Sequence, residues 1–132
     1  MKIAIATKNA GKLKEFKELA IETPYEFIQI PESIKELPPE TGNSFYENAL
    51  IKAEFISKSL GIPAIGDDSG LEVDALKGQP GIFSARYSKT GLDKDNCLKL
   101  IDNLSGFKLD ERAARFRCSL VGYFLDSLLY FF

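Results

Sequence analysis

Two neighbouring carboxylates, Asp67 and Asp68, are the residues in this sequence most suggestive of chemistry. They lie in residues 66–71, which read Gly-Asp-Asp-Ser-Gly-Leu. Adjacent carboxylates repel each other, and a divalent cation bound by one or both offsets that cost. The flanking glycines leave room for a ligand. An acidic hairpin turn accounts for the same residues, because Asp, Ser and Gly are common in turns.

A second candidate site is the polar loop at residues 7–12, between a short apolar run and a helical pattern. Such a loop directs backbone amides at one spot, and the helix N-terminus adds partial positive charge, so an anion is favoured there. The spacing is not that of a Walker A loop. An ordinary polar turn that caps a helix remains the alternative. The candidate anion-binding residues are Thr7, Lys8, Asn9, Ala10, Gly11 and Lys12.

Two further segments carry charge that chemistry could use. Glu40 precedes a predicted helix on which Asn48 and Lys52 lie one turn apart and therefore share a face. Lys52 either reaches a phosphate or is an ordinary solvated lysine. Residues 80–88 form a compact loop whose Arg86 contacts phosphate or a partner subunit, unless the loop is only a packed connection.

Composition narrows the classes of function. The chain has no histidine, which removes the commonest general base and the commonest transition-metal ligand. Carboxylates, lysines and a hard cation remain, a combination suited to phosphoryl chemistry, where positioning and electrostatics dominate. The formal net charge of −2 gives no basic surface for nucleic acid. Cys97 and Cys118 are expected to be reduced thiols.

The elements that must position these residues follow from hydrophobic periodicity. Strands are predicted at 2–6, 26–30, 63–66, 71–76, 113–124 and 128–132, and helices at 13–20, from 43 or 44 to 60, and at 92–104. Strands alternate with helices early and group together later, which predicts an α/β fold, a mixed β-sheet flanked by helices, in one domain of residues 1–132. Ser44 and Glu47 fit a capping box, and Leu98 and Ile101 are expected to face inward.

Neither end of the chain indicates a membrane segment. The apolar run at the N-terminus is too short for a signal peptide, so a cytoplasmic location is expected. Residues 118–132 are strongly apolar but shorter than the roughly 20 residues of a transmembrane helix, and they contain Asp126. A strand hairpin is the better interpretation of this stretch.

Several segments together resemble one protein family. Residues 7–12 match a T/S-x-N-x-x-K loop, and residues 40–49 match E-T-G-x-[ST]-F-x-E-N-A. Residues 66–71, 80–87 and 115–118 match further signatures in the same order. The chain thereby resembles the inosine triphosphate pyrophosphatase family. The resemblance implies Mg²⁺-dependent hydrolysis of ITP, dITP and XTP to the monophosphate and pyrophosphate, a homodimer, and a role in cleaning the nucleotide pool.

The resemblance also implies roles by position. Residues 7–12 and Lys52 would bind phosphate, with Lys52 taking part in catalysis, and Ser69 would touch the substrate. Glu40 and Asp68 would hold the metal, and Asp68 would also be the base that activates water. Asp67 would either support these ligands or bind a second ion.

The departures from the family pattern keep other functions open. The family's G-G-F-G-Y-D-P segment, a later lysine and a Ser-His-Arg are absent, so a member shortened at its C-terminus or a compact one is expected. A nucleotide-binding module with little turnover is one alternative. An assembly role for the apolar C-terminal hairpin is another, and a Maf-type nucleotide pyrophosphatase is a third.

Overall fold

A computed structural model describes residues 1–125 and the backbone of residues 129–131. Within them the strands form one mixed sheet in the order β2-β1-β3-β4-β5. Strand β1 pairs in parallel with β2 and β3, whereas β4 and β5 are antiparallel. The α/β fold with a mixed sheet and helices is therefore confirmed. The elements are β1 (Lys2–Ile5), α1 (Ala10–Leu19), β2 (Glu26–Ile28), α2 (Phe45–Leu60), β3 (Ala64–Val73), α3 (Asp93–Asn103), β4 (Ala114–Tyr123) and β5 (Leu129–Phe131).

The chain folds into two compact units. The first comprises residues 1–68 and the chain from residue 119 onward, and the second comprises residues 69–118. The expectation of one domain over residues 1–132 stays a prediction. No helix in the described ranges is long and apolar enough to cross a membrane.

The core of the first unit is built from small and branched side chains. Ala4 of β1 and Ala64 of β3 are fully or almost fully buried and lie opposite each other in the parallel register. Ile56 of α2 packs into the same cluster with Ala6 and Ile30. Alanine on the strands leaves space for the helix to approach the sheet closely.

The ends of α2 are set by local hydrogen bonds. The Ser44 hydroxyl accepts the N–H of Glu47 at 3.1 Å, as the capping box predicts. The Glu47 carboxylate, however, accepts the N–H of Asn43 at 2.6 Å, one residue before the expected partner. The helix ends at Gly61, whose φ of 68° is the left-handed conformation that glycine adopts at little cost.

Gly66 allows β3 to touch α2. A Cβ at this position would lie 2.0 Å from the carbonyl oxygen of Ala49 and 2.9 Å from the backbone nitrogen of Ala53. Ala49 and Ala53 are themselves fully buried. The contact between the helix and strand backbones therefore requires glycine, and it brings the polar residues of α2 within reach of the residues that follow Gly66.

The prediction of two strands around an acidic turn is wrong. Residues 67–70 lie inside one continuous strand, β3, and both Asp67 and Asp68 are buried. Turn propensity is overridden because each carboxylate has partners, Lys12 for Asp67 and Asn48 with Lys52 for Asp68. A buried carboxylate with such partners is tolerated within a strand.

In the second unit, the predicted inward face of α3 is also wrong. Leu98 and Ile101 are 54% and 61% exposed, whereas Asn96 is buried. The Asn96 side chain accepts hydrogen bonds from the N–H and hydroxyl of Ser88 and donates to carbonyl oxygens of the preceding loop. Hydrophobic periodicity identifies an apolar stripe on α3, but the hydrogen bonds of Asn96 determine which side of the helix faces the rest of the unit.

The C-terminal hairpin is confirmed. Strand β5 pairs with β4 in the register Val121↔Phe131 and Tyr123↔Leu129. The residues that connect these two strands lie partly outside the described residues. Cys97 and Cys118 are both exposed, and their reduced state stays a prediction.

Candidate active site

Three charged side chains converge in the first unit. Asp68 comes from β3, Lys52 from the middle of α2, and Glu40 from the loop before α2. The Lys52 ammonium lies 3.5 Å from a Glu40 oxygen and 3.8 Å from a carboxylate oxygen, Oδ1, of Asp68. The side chains of Lys52 and Asp68 are only 12% and 10% exposed. The structure therefore brings together the two predicted metal ligands and the predicted catalytic lysine.

The charges of this cluster are not balanced, because two carboxylates share one lysine. Burial, a hydrogen bond with Glu40 and the negative charge of Glu40 together raise the pKa of Asp68 to about 6. Lys52 and the amide of Asn48 act in the opposite direction. Two neighbouring carboxylates that disfavour each other's ionised state form a site where an added cation is favourable.

Asp67, the neighbouring residue, belongs to a different arrangement. Its carboxylate accepts a hydrogen bond from the Lys12 ammonium at 2.6 Å, and its side chain is 7% exposed. Successive side chains of a strand point to opposite faces of a sheet, so Asp67 is directed at Lys12 and Asp68 at α2. The two carboxylates are thus separated by the strand itself.

The predicted anion-binding loop connects β1 to α1. Asn9 caps the helix, and its side-chain oxygen accepts the N–H groups of Gly11 at 2.9 Å and Lys12 at 3.2 Å. Thr7 in turn accepts the N–H of Asn9. The loop is consequently ordered by its own side chains, and an arriving phosphate would compete with Asn9 for two of the predicted amides.

The remaining predicted loop residues line open surface. Lys8 donates a hydrogen bond to the carbonyl oxygen of Lys35, and both residues lie at a cleft of about 350 Å³ that Thr7 also lines. Ala10 is exposed at the start of α1. The cleft continues along the segment that follows β2.

Two predicted residues belong to the second unit. Ser69 follows Asp68 in β3 and is exposed. The guanidinium of Arg86 lies 5.0 Å from the centre of the Phe83 ring, a cation–π geometry.

The donors of the Asp68 cluster fit a hard divalent cation. Mg²⁺ is commonly held by one or two carboxylates, with water and phosphate oxygens completing its shell. Glu40 and Asp68 supply such a pair. Across the described residues, no group of three or more His, Cys, Asp or Glu side chains is arranged to hold a metal ion.

Sequence reasoning missed two contacts that organise this region. It placed Asn48 on the face of Lys52 without finding its hydrogen bonds to Asp68 and to the backbone of Gly42. It also left the partner of Asp67 open. The signal for Asn48 was its spacing from Lys52, whereas the pairing of Lys12 with Asp67 joins residues 55 positions apart and has no local signature.

Comparison with known proteins identifies the relatives of this chain. The model of the Ham1 family matches residues 3–130. A dITP/XTP pyrophosphatase of Thermus thermophilus is 41% identical over 127 residues, 96% of this chain and 61% of the relative. One from Methylococcus capsulatus is 46% identical over 123 residues, 91% and 60% of the two chains. The chain thus spans about 60% of the length of these curated relatives.

Solved structures agree with the sequence matches. The Ham1 protein of Staphylococcus aureus is 40% identical with a TM-score of 0.85, covering 100% of this chain and 68% of that one. A HAM1 protein from Coxiella burnetii is 34% identical with a TM-score of 0.90, covering 99% and 68%. Because the family model and these relatives match nearly the whole chain, this protein belongs to the Ham1 family.

Proposed function

We propose that this chain acts as a nucleoside-triphosphate pyrophosphatase on the non-canonical purine nucleotides ITP, dITP and XTP, releasing the monophosphate and pyrophosphate. The observation that carries the proposal is the cluster in which the part-exposed Glu40 and the buried Asp68 share Lys52. The similarity to proteins named dITP/XTP pyrophosphatases supports the choice of substrate class.

Glu40 and Asp68 would hold Mg²⁺, for the reasons of donor chemistry given above. When bound, the ion would supply Lewis-acid polarisation and neutralise charge on the phosphates. The proximity of the two carboxylates, and the raised pKa of Asp68 that results from burial and from Glu40, support a shared cation.

Asp68 would also take the proton of the attacking water. Asn48 donates a hydrogen bond to its Oδ2, and its Oδ1 is the oxygen near Lys52. As the bond between the α- and β-phosphates breaks, pyrophosphate leaves and the ammonium of Lys52 offsets its charge.

The loop at residues 7–12 would bind the phosphate chain. Lys12, whose side chain is 34% exposed, would exchange Asp67 for a phosphate oxygen. Lys8 would contribute a second positive charge and the start of α1 a favourable dipole. Ser69 would contact the substrate from the position after Asp68.

A homodimer, a cytoplasmic location and a role in cleaning the nucleotide pool complete the proposal. The second unit carries exposed apolar side chains at Leu98, Ile101 and Phe116, the last of them 83% exposed. An interface with a second copy of the chain would bury exposed apolar side chains of this kind.

An assay of product identity tests the proposal. The purified chain is incubated with Mg²⁺ and ITP, dITP, XTP, ATP or GTP, and pyrophosphate and orthophosphate are measured separately, with EDTA as the control. Pyrophosphate released preferentially from ITP, dITP and XTP is the expected result. Nucleotide binding without release would instead make the chain a binding module, and orthophosphate as the main product would overturn the proposed reaction.

A further inference from the structure

Asn48 is a fully buried polar residue on α2, and its side chain bridges two parts of the site. Its side-chain oxygen accepts the N–H of Gly42 at 2.8 Å, and its side-chain nitrogen donates to Oδ2 of Asp68 at 3.3 Å. Ser57, nine residues further along the same helix, is equally buried, and its hydroxyl donates to the carbonyl oxygen of Ile62 just after the end of the helix. Both residues are buried on α2, but their side chains form hydrogen bonds with different parts of the chain.

The orientation of the Asn48 amide is fixed by chemistry. A backbone N–H can only donate, so the Asn48 oxygen must face Gly42. The nitrogen is then the only part of the amide left for Asp68, and a nitrogen donor suits an ionised carboxylate. One side chain therefore meets both partners with the correct polarity, and reversing it would break both hydrogen bonds.

The loop that carries Glu40 is fastened to the first turn of α2. A Cβ on Gly42 would lie 2.6 Å from Cβ of Glu47 and 2.7 Å from the Asn48 oxygen, so the backbone closes directly onto these residues. The carboxylate of Glu47 accepts a hydrogen bond from the N–H of Asn43, the residue after Gly42. The position of Glu40, two residues before Gly42, thus depends on contacts with the helix.

We propose that Asn48 is a positioning residue that sets the separation between Glu40 and Asp68 and so creates a site for a divalent cation. It ties the Glu40 loop to α2 through Gly42, and it fixes the carboxylate plane of Asp68, which directs Oδ1 towards Lys52. Its effect on turnover rests on the proposed function, whereas its effect on cation binding and on Gly42 does not.

The test uses Asn48→Ala, Asn48→Asp and the matched control Ser57→Ala, each in the full chain. Three quantities are measured: Mn²⁺ affinity by electron paramagnetic resonance, hydrogen exchange of the Gly42 amide by NMR of ¹⁵N-glycine-labelled protein, and kcat and KM for dITP with Mg²⁺. Ser57→Ala also removes a buried hydrogen bond from α2, so it measures what a loss of stability alone does.

Asn48→Ala is expected to weaken Mn²⁺ binding and to lower kcat, each by about tenfold or more, as is usual when a residue that supports a metal ligand is removed. Hydrogen exchange of the Gly42 amide should become faster. Its KM should change less than its kcat. Asn48→Asp still accepts from Gly42 but cannot donate to Asp68, so Gly42 stays protected while kcat falls. Ser57→Ala should leave affinity and kcat unchanged.

Mn²⁺ affinity that is unchanged in Asn48→Ala, or that falls equally in Ser57→Ala, would overturn the positioning role. If Asn48→Ala does not fold, Asn48→Asp decides: full kcat in a folded variant with a protected Gly42 contradicts the proposal. If the wild-type chain shows no turnover at all, the proposed function fails. The Mn²⁺ affinity and the hydrogen exchange of Gly42 then still test the positioning role of Asn48.

Discussion

Asp67 and Asp68 are neighbours in one strand, yet their surroundings differ. Asp67 forms a close pair with one lysine, Lys12, at 2.6 Å. Asp68 shares the more distant Lys52, at 3.8 Å, with a second carboxylate, Glu40. The first arrangement is electrically complete, whereas the second carries excess negative charge in a buried place. Only the second would be improved by a cation, and this favours Asp68 over Asp67 as the proposed centre of the reaction.

These surroundings predict a structural role for Asp67 and a functional role for Asp68. A buried carboxylate that is matched by one cation supports the fold, because removing it leaves the partner without its charge. A carboxylate with a raised pKa is held in an unfavourable ionised state, and such strain is found at functional sites. Opposite effects of mutation at adjacent positions follow from this difference.

The largest expected effect is on turnover. Asp68→Asn should lower pyrophosphate release from dITP by at least about 1,000-fold, because it removes both the base and a metal ligand. Asp67→Asn should lose much less, since Lys12 can still reach phosphate. Rates are measured with circular dichroism spectra of both variants. Loss of the folded spectrum in Asp68→Asn would make Asp68 structural and contradict its catalytic assignment.

The next effect is on stability, and its sign should differ between the two positions. In EDTA at pH 8, Asp67→Asn should lower the free energy of unfolding by about 1–2 kcal/mol, because a part-buried ion pair is lost. Asp68→Asn should raise it by about 1–2 kcal/mol, because the repulsion with Glu40 disappears. Urea denaturation measures both. A fall of equal size in both variants would show that the two carboxylates are equivalent.

A pH dependence of stability should accompany this difference. The pKa of Asp68 is about 6 in the folded chain, above the ordinary value of 3.8, so the folded state binds the proton more tightly than the unfolded state. The stability contributed by this group is present below about pH 4 and is lost as the pH rises through 6. The unfolding free energy of the metal-free wild type minus that of Asp68→Asn should therefore become more negative as the pH rises over this interval. A difference in unfolding free energy that does not change with pH would contradict the raised pKa of Asp68.

The smallest effect is expected at an exposed pair of the same chemistry. Lys58 lies 2.5 Å from Glu54 on the surface of α2, and this hydrogen bond raises the pKa of Lys58. Exposed pairs contribute little, since solvent screens them. The midpoint of thermal unfolding of Glu54→Gln should agree with that of the wild type within experimental error. A clear shift would mean that lysine–carboxylate pairs matter here irrespective of burial, which would weaken the contrast between Asp67 and Asp68.

The sequence predicted the parts of the fold that depend on local pattern. The capped start of α2, its end at Gly61 and the C-terminal hairpin follow from residues close together in the chain. It failed at β3, where Asp67 and Asp68 resemble a turn until their partners from α1 and α2 are known. It failed likewise at α3, whose apolar stripe is exposed at Leu98 because Asn96 anchors the opposite side.

The same distinction applies to the site. Short motifs indicated Glu40, Lys52 and Asp68 as one site, and the structure brings these three side chains together. The role of Asn48 could not be predicted, since it requires that a loop and a strand approach one helix at the correct distance. Gly66 makes that approach possible, and its contact with Ala49 is a property of packing rather than of local sequence.

The most direct measurement is a titration of Mn²⁺ into the wild type, Asp67→Asn and Asp68→Asn, followed by electron paramagnetic resonance. The wild type and Asp67→Asn should bind the ion with affinities within about threefold of each other, whereas Asp68→Asn should bind it at least about tenfold more weakly. Equal affinity in the wild type and Asp68→Asn, or loss of binding in Asp67→Asn alone, would contradict the assignment of the cation to the Glu40–Asp68 pair.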